Sequence, residues 1–417
     1  MQRAEKSSPL SGFFLLARWF SRVGIGSLLF LTACTLCCES IWSDKLQIAL
    51  RPVFEYSPKP WKAEDWPVIQ LTPDGNQIHF LRGATLQVID RDRRKVVTTF
   101  DYGQIPCAGA REFYSWVVLA DRNQIVANYC LSLLLIDGQN FQLKKVLIQR
   151  NEQQMVLFFS VSQNGTRVAA HVDVSKGRER ETHLVLFDTH TWTGQPWSAE
   201  PTLPPGVRGP TLNHDGQLIA FERRISLWSD DGERCGLEVR EVSTGRVLAE
   251  WWNKATRESP SGLPMEVQGC PEGLTFVPGQ SALLAMRLGE AIVLWDFEKQ
   301  EVKRVLKPAS PPSVNEFLLS PDGSLLVLNV SSPLDNAPDA FQEMVAWDVK
   351  SGILLYESRK VKWSPWLVFF ETIFRGRDVF LKGTFNLINF SADGKYLLVS
   401  RYKQLTLYEV VRPAATQ

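Results

Sequence analysis

Histidine and aspartate side chains concentrate in one stretch of the 417-residue chain. The stretch contains His171, Asp173, His183, Asp188 and His190. Alternate residues of a strand point to the same face, so His171 and Asp173 would share a face, and a hairpin could bring His183 opposite them. Imidazole nitrogens and carboxylate oxygens are zinc ligands. The alternative, which we favour, is a set of surface polar residues beside the charged loop 176–181, with no metal or cofactor bound.

Motifs of well-known enzyme classes are missing from the sequence. It contains no G-x-S-x-G nucleophile elbow, no phosphate-binding P-loop, no dinucleotide fingerprint and no H-E-x-x-H zinc motif. The sequence therefore predicts a protein that is not an enzyme.

The seven cysteines fall into two groups. Cys34, Cys37 and Cys38 lie near the N-terminus, whereas the other four, Cys107, Cys130, Cys235 and Cys270, are far apart and show no C-x-x-C spacing. Zinc binding is therefore not expected. In an oxidising compartment, pairing Cys107 with Cys130 and Cys235 with Cys270 would close the shortest loops. The alternative is that these four are buried free thiols.

The N-terminal segment, residues 1–40, has the pattern of a signal peptide or membrane anchor. Arg18 and Arg22 precede an uncharged run from Val23 to Cys38, and acidic residues follow it. This charge order places the body of the chain on the extracytoplasmic side of a membrane. Leu31–Cys34 (LTAC) resembles the lipobox of bacterial lipoproteins, which implies lipidation of Cys34. An uncleaved anchor helix starting near Phe13 is the alternative.

Composition excludes two broad classes of protein. The chain has 46 Lys plus Arg against 45 Asp plus Glu, a formal net charge of +1, and this balance argues against nucleic-acid binding. It has 14 Trp, 23 Phe and 8 Tyr, too many for a disordered chain.

The body of the chain is built from an internal repeat. In the clearest copy, Ser320-Pro321-Asp322-Gly323 forms a turn between two apolar runs, a later run ends in Trp347-Asp348, and Ser351-Gly352 follows. Proline followed by Asp-Gly between apolar runs predicts a hairpin. Seven copies can be recognised, with turns near residues 75, 123, 165, 216, 279, 323 and 394. Each copy has about the length of a four-stranded unit plus insertions.

These features resemble the WD-repeat β-propeller family. The shared features are S-P-D-G between the first two strands, an acid ending the third strand, and a Ser/Thr-Gly turn before the fourth. The resemblance covers residues 66–410 and implies one all-β propeller, residues 41–417, with about seven four-stranded antiparallel blades. The Gly-His dipeptide of the family is absent from every copy, which indicates a divergent, bacterial-type member. We expect Asp296 and Asp348 to cap turns rather than perform chemistry.

The last copy contains only three convincing strands. Ile48–Tyr56, before the first copy, has the pattern of an extended segment. Propellers commonly build one blade from both chain ends, so we predict that Ile48–Tyr56 supplies the fourth strand of the last blade.

We therefore expect a monomeric scaffold that is tethered to a membrane through its N-terminal segment and binds a protein partner. Two alternatives stay open: a propeller enzyme of the lactonase, glycosidase or quinone-dependent type, and an outer-membrane assembly scaffold lipoprotein. Catalysis would need polar residues on the first strands, which line the channel. Those strands are mostly apolar, as in Val68–Leu71, Phe158–Val161, Phe317–Leu319 and Leu387–Phe390.

The long insertions all join second to third strands, or one blade to the next, and therefore share one face. They are Asp173–Thr182, Ser229–Gly236, Trp251–Gly273, Ser331–Gln342 and Arg359–Thr384. Large aromatic side chains anchor many interfaces. The candidate binding residues in the insertions are Trp251, Trp252, Trp363, Trp366, Phe369 and Phe370. The alternative is that these rings fold back onto the blades.

Overall fold

A computed structural model shows 28 β-strands. It describes residues 48–57, 67–107, 111–119, 122–177, 179–197, 203, 206–225, 234–253, 269–308, 313–331, 342–358, 385–401 and 404–412. The strands are β1 (Ala49–Tyr56), β2 (Val68–Leu71), β3 (Gln77–Arg82), β4 (Thr85–Asp90), β5 (Lys95–Asp101), β6 (Phe113–Leu119), β7 (Gln124–Tyr129), β8 (Ser132–Asp137), β9 (Leu143–Ile148), β10 (Gln154–Val161), β11 (Arg167–Lys176), β12 (Glu179–Asp188), β13 (Thr193–Pro196), β14 (Val207–Leu212), β15 (Leu218–Ile225), β16 (Arg234–Glu241), β17 (Val247–Asn253), β18 (Pro271–Phe276), β19 (Leu283–Leu288), β20 (Ala291–Asp296), β21 (Glu301–Leu306), β22 (Ser313–Leu319), β23 (Leu325–Ser331), β24 (Gln342–Asp348), β25 (Leu354–Glu357), β26 (Phe385–Phe390), β27 (Tyr396–Arg401) and β28 (Gln404–Val411).

The strands form seven four-stranded antiparallel sheets, as the repeat predicted. Six sheets are built from four consecutive strands, and we number them blades 1 to 6, from β2–β5 to β22–β25. The seventh has the order β1-β28-β27-β26 and is blade 7. The all-β, seven-bladed propeller is therefore confirmed.

Burial along each blade follows from its position in the ring. Middle strands are covered on both faces by neighbouring blades, so they are almost continuously apolar: β20 (AIVLWD) is buried at all six positions. The outermost strand has solvent beside it, and β13 (TGQP) is exposed at all four positions.

The core is divided into seven clusters of buried side chains, one at each seam between neighbouring blades. The seam between blades 4 and 5, for example, contains Val239 and Trp251 from one blade and Leu284 and Trp295 from the other. A blade alone would expose both apolar faces, so packing around a closed ring is what buries them.

The two ends of the described chain close the ring. β1 pairs antiparallel with β28, from Ala49 opposite Val411 to Tyr56 opposite Leu405, which confirms the predicted fourth strand of the last blade. Phe54 of β1 is 2% exposed and packs in the cluster between blades 7 and 1.

The N-terminal segment, residues 1–40, including Cys34, lies outside the described residues. Among the residues that the structure describes, no helix is long and apolar enough to span a membrane.

Candidate functional site

The propeller has two faces of different construction. One, the turn face, carries the turns that join first to second and third to fourth strands; between the strands, these turns are four to six residues long. The other, the connection face, carries the second-to-third links and the blade-to-blade links. These are as long as residues 358–384, 27 residues between β25 and β26.

Side-chain hydrogen bonds hold the turns between first and second strands closed. In blade 6, Ser320 Oγ donates to Asp322 Oδ1 at 2.5 Å, and the Leu325 N–H donates to Ser320 Oγ at 2.9 Å. Gly323 has a φ of 68°, and a β-carbon there would lie 2.2 Å from the Pro278 carbonyl oxygen of blade 5, so only glycine fits. The same hydroxyl-to-acid or hydroxyl-to-amide bond joins Thr72 to Asp74, Ser162 to Asn164 and Ser391 to Asp393.

These turn acids are ionised structural groups. Partial burial raises the pKa of Asp322, but hydrogen bonds from Arg412 and Ser320 outweigh it and hold the pKa well below its ordinary value. The same balance of burial against hydrogen bonds lowers the pKa of Asp74 and of Asp393.

The acids that end the third strands cap the following turns. The Lys299 N–H donates to Asp296 Oδ1 at 3.1 Å, and the Ser351 N–H donates to Asp348 Oδ1 at 2.5 Å. The predicted capping role of Asp296 and Asp348 is confirmed.

A cavity of about 240 Å³ opens at the turn face, where blades 1, 2, 3 and 7 meet. Its walls include Pro73, Leu119 and Ala392, and Arg122 is a charged residue in its lining. Beside it, Gln163 Nε2 donates to the Phe276 carbonyl of blade 5 at 3.3 Å. The sequence did not indicate this cavity, because it arises from turns of four separate copies.

The inner strands carry β-bulges in six of the seven blades, for instance between Phe113 and Ser115 in blade 2 and between Val156 and Phe158 in blade 3. A bulge changes the direction of a side chain. Tyr114, the extra residue of the blade 2 bulge, is 48% exposed, and Phe158, which directly follows the blade 3 bulge, is 51% exposed. The inner strands were predicted to be mostly apolar, and here they also present two large aromatic rings to solvent.

The insertion predicted at Asp173–Thr182 is largely strand. β11 and β12 pair continuously up to Lys176 opposite Glu179, so this part of the connection face is a long hairpin rather than a flexible loop. The predicted insertion is wrong here, because its polar, charged residues hide the strand alternation.

Trp251 and Trp252 also lie in a strand, β17, the fourth strand of blade 4, rather than in a loop. Trp251 is 7% exposed and packs in the seam between blades 4 and 5. Trp252 is half-buried, and its ring lies over Gly236, where a β-carbon would approach it to 2.7 Å. Trp363, Trp366, Phe369 and Phe370 lie outside the described residues.

Trp252 belongs to a charged stack in blade 4. The Arg223 guanidinium carbon lies 5.1 Å from the centroid of a Trp252 ring. Arg223 forms an ion pair with Glu238, which is almost fully buried, and Arg240 Nη2 donates to Glu238 at 2.7 Å. Two guanidinium groups therefore compensate one buried carboxylate.

A second charged group spans blades 4 and 5. Glu272 forms ion pairs with Arg224 and Arg287, while Glu222 Oε1 accepts a hydrogen bond of 2.8 Å from the Gly273 N–H. Burial, together with the nearby Glu272 charge, raises the pKa of Glu222. Burial also raises the pKa of Glu272, but its two arginine partners outweigh this and lower it.

The histidine-rich stretch does not come together as a metal site. His171 Nε2 lies 3.9 Å from Asp173 Oδ1, His183 Nε2 lies 3.2 Å from Glu181 Oε2, and His190 Nδ1 lies 3.5 Å from Asp188 Oδ1. Each imidazole thus has a different carboxylate neighbour. Within the described ranges, no group of three or more His, Cys, Asp or Glu residues could hold a metal ion.

The four cysteines of the body are paired. Cys107 is bonded to Cys130 with a Cα–Cα distance of 5.7 Å, and Cys235 to Cys270 with 5.2 Å. The second bond joins the third strand of blade 4 to the residue before blade 5.

Comparison with solved structures supports the fold alone. The β-propeller domain of Cps50 (Swd1) from Myceliophteria thermophila matches with a TM-score of 0.53 and 11% sequence identity, covering 86% of this chain and 100% of that domain. No family model and no curated protein matches the chain.

Proposed function

We propose that this protein is an exported, membrane-tethered propeller of the WD-repeat type that binds a protein partner at its connection face, without catalysis. The observation that carries this proposal is the asymmetry between the two faces. The turn face consists of short turns closed by their own hydrogen bonds, whereas the long links, up to 27 residues, belong to the connection face. Long links on a rigid scaffold are where binding residues concentrate.

The chemistry of the described side chains supports a non-enzymatic role. The repeated acids, such as Asp322 and Asp348, are engaged in turn hydrogen bonds. Glu238 and Glu272 are each neutralised by two arginines. A carboxylate held in this way is poorly placed to act as a nucleophile or a base. A hydrolase substrate screen on the purified protein tests this point, and turnover abolished by Glu222→Gln would contradict it.

Membership of the WD-repeat family is supported by the repeated turn chemistry and by acids at the ends of the third strands. The seven-bladed architecture agrees with it, and the missing Gly-His dipeptide makes the protein a divergent member.

Site-specific photo-crosslinking tests the binding face. A photoreactive phenylalanine analogue replaces Trp252 on the connection-face side of blade 4, and in a matched control it replaces Ile353, which is 50% exposed on the turn face. We expect a discrete protein adduct from position 252 only. An adduct from position 353 alone would place the partner on the opposite face and overturn the proposal.

Export is supported by the two disulfides, since such bonds persist in oxidising compartments and are rare in the cytosol. The tether is tested by the intact mass of protein extracted from membranes. A chain that starts at Cys34 with added lipid mass indicates a lipoprotein, and an uncleaved chain indicates an anchor helix. Recovery of the full-length chain in the soluble cytosolic fraction would contradict both.

A further inference from the structure

One of the two buried histidines of the described chain joins blades 1 and 2. His79 lies in β3, the second strand of blade 1, and is 2% exposed. Trp116, in the first strand of blade 2, donates a hydrogen bond from its indole Nε1 to His79 Nδ1 at 3.1 Å. Both rings are buried, so this bond crosses the seam without access to water.

The surroundings of His79 are aromatic. The ring of Phe141 packs edge-on at a centroid distance of 5.3 Å, and Trp116 does so at 5.9 Å. Tyr102 and Phe113 pack against Trp116 in the same cluster. His79 Nε2 has no hydrogen-bond partner, and its cross-strand neighbours are Gln70 and Val88.

Few titratable groups surround this histidine. On its own blade, the charge of Asp74 in the preceding turn favours protonation. Within the cluster at this seam, the titratable side chains are the phenols of Tyr102 and Tyr129, and Tyr102 donates its hydroxyl to the Phe141 carbonyl at 2.8 Å. The described side chains form no ion pair with His79.

The hydrogen bond from Trp116 determines the protonation state of His79. An indole N–H can only donate, so Nδ1 must carry no proton, and His79 is therefore neutral with its hydrogen on Nε2. Protonation of Nδ1 would replace this hydrogen bond by two opposed N–H groups. It would also leave a cation among aromatic and aliphatic side chains, without a paired carboxylate.

We propose that the seam between blades 1 and 2 is an acid-sensitive joint, in which protonation of His79 breaks its hydrogen bond with Trp116 and loosens the packing of the two blades. This pH response does not depend on the partner proposed above. The seam between blades 1 and 2 is closely packed at neutral pH and opens locally in an acidic compartment.

The direction of the pH effect follows from linkage. Burial lowers the pKa of His79 from 6.5 to about 4, and Asp74 opposes this only in part. At a pH between these two values, the His79 imidazole is protonated in the unfolded or opened chain and neutral in the folded chain. Stability is therefore complete above pH 6.5 and falls as the pH decreases towards 4. Between pH 7 and pH 5 this group alone should raise the unfolding equilibrium constant about 25-fold.

The test compares urea unfolding of the full chain and of His79→Gln at pH 7 and pH 5. Glutamine can accept the Trp116 hydrogen bond but does not titrate in this range, so the variant should lose a factor of about 25 from its pH dependence. His214→Gln, which removes an exposed histidine, is the matched control and should keep the wild-type dependence. Equal pH dependence in wild type and His79→Gln would overturn the proposal.

Two further measurements keep the proposal testable if His79→Gln does not fold. In wild-type protein, the NMR signal of His79 should stay at its neutral position at pH 5. Amide exchange, corrected for intrinsic rates, should accelerate at pH 5 in residues 77–82 and 113–119 more than in residues 283–296 of blade 5. Titration of His79 near pH 6.5, or uniform acceleration, would contradict the joint.

Discussion

Asn389, in the first strand of blade 7, holds both backbone groups of Leu71 in the first strand of blade 1. Its Nδ2 donates to the Leu71 carbonyl at 2.9 Å, and its Oδ1 accepts from the Leu71 N–H at 2.8 Å. One amide side chain thus replaces the strand pairing that is missing between two inner strands. It lies at the seam beside the blade that both chain ends complete.

Replacing this amide should weaken ring closure. Asn389→Leu leaves the two Leu71 groups without partners, and we expect the free energy of unfolding to fall by about 2–3 kcal/mol. Asn389→Asp keeps the acceptor and should cost less at neutral pH than the leucine. Urea unfolding measures both, with exposed Gln139→Ala as the control. A leucine variant as stable as the control would mean that water replaces the amide at no cost.

The clasp strand β1 should be needed for stability. Phe54 is buried between blades 7 and 1, so Phe54→Ala is expected to lower the free energy of unfolding by about 3–5 kcal/mol. A chain that begins after residue 57 should melt at a lower temperature than one that begins at residue 48. Because the two differ by β1, an unchanged melting temperature would count against the clasp.

The two disulfides should be detectable without reduction. Alkylation of unfolded, unreduced protein should leave Cys107, Cys130, Cys235 and Cys270 unmodified, and prior reduction should expose all four to the reagent. Removing the Cys235–Cys270 bond by a double change to alanine should cost about 3–4 kcal/mol, because the bond closes a loop over a sequence separation of 35. Modification of these cysteines before reduction would show that they are free thiols.

The two adjacent tryptophans of β17 should behave differently. Trp251→Ala removes a large side chain from the seam between blades 4 and 5, so we expect a loss of about 3–5 kcal/mol in stability. Trp252→Ala removes a half-buried ring and its cation–π contact with Arg223, and about 1–2 kcal/mol is expected. Thermal melts and the crosslinking assay on the same variants separate folding from binding. A stable Trp252→Ala variant that retains partner capture would exclude Trp252 from the interface.

A second buried histidine should add to the acid response. His171 is 3% exposed, and neither ring nitrogen has a hydrogen-bond partner. Burial lowers its pKa, and Asp173 opposes this in part. Stability should therefore fall as the pH decreases below 6.5, and His171→Asn should reduce this loss. Unfolding curves of the single variant and of the double variant with His79→Gln check whether the two contributions add.

The two tryptophans predicted to lie in an insertion are part of strand β17. Trp251 was predicted to begin the insertion Trp251–Gly273, yet it is the fifth residue of β17, and its side chain packs in the seam with blade 5. Sequence spacing places a residue along its own strand. It does not show which neighbouring blade covers it, since that depends on pairing and twist.

The fold of this protein follows from patterns that are local in its sequence. Turn residues such as Asp322-Gly323 recur between apolar runs, and their conformational preferences are local, so they can be recognised in each copy. The clasp could also be inferred, because a blade with three strands leaves one edge unpaired. The contacts between blades, in contrast, are visible only in the folded ring. The hydrogen bonds from Trp116 to His79 and from Asn389 to Leu71 join residues 37 and 318 positions apart. Such pairs arise from ring closure, and no local pattern in the chain encodes them.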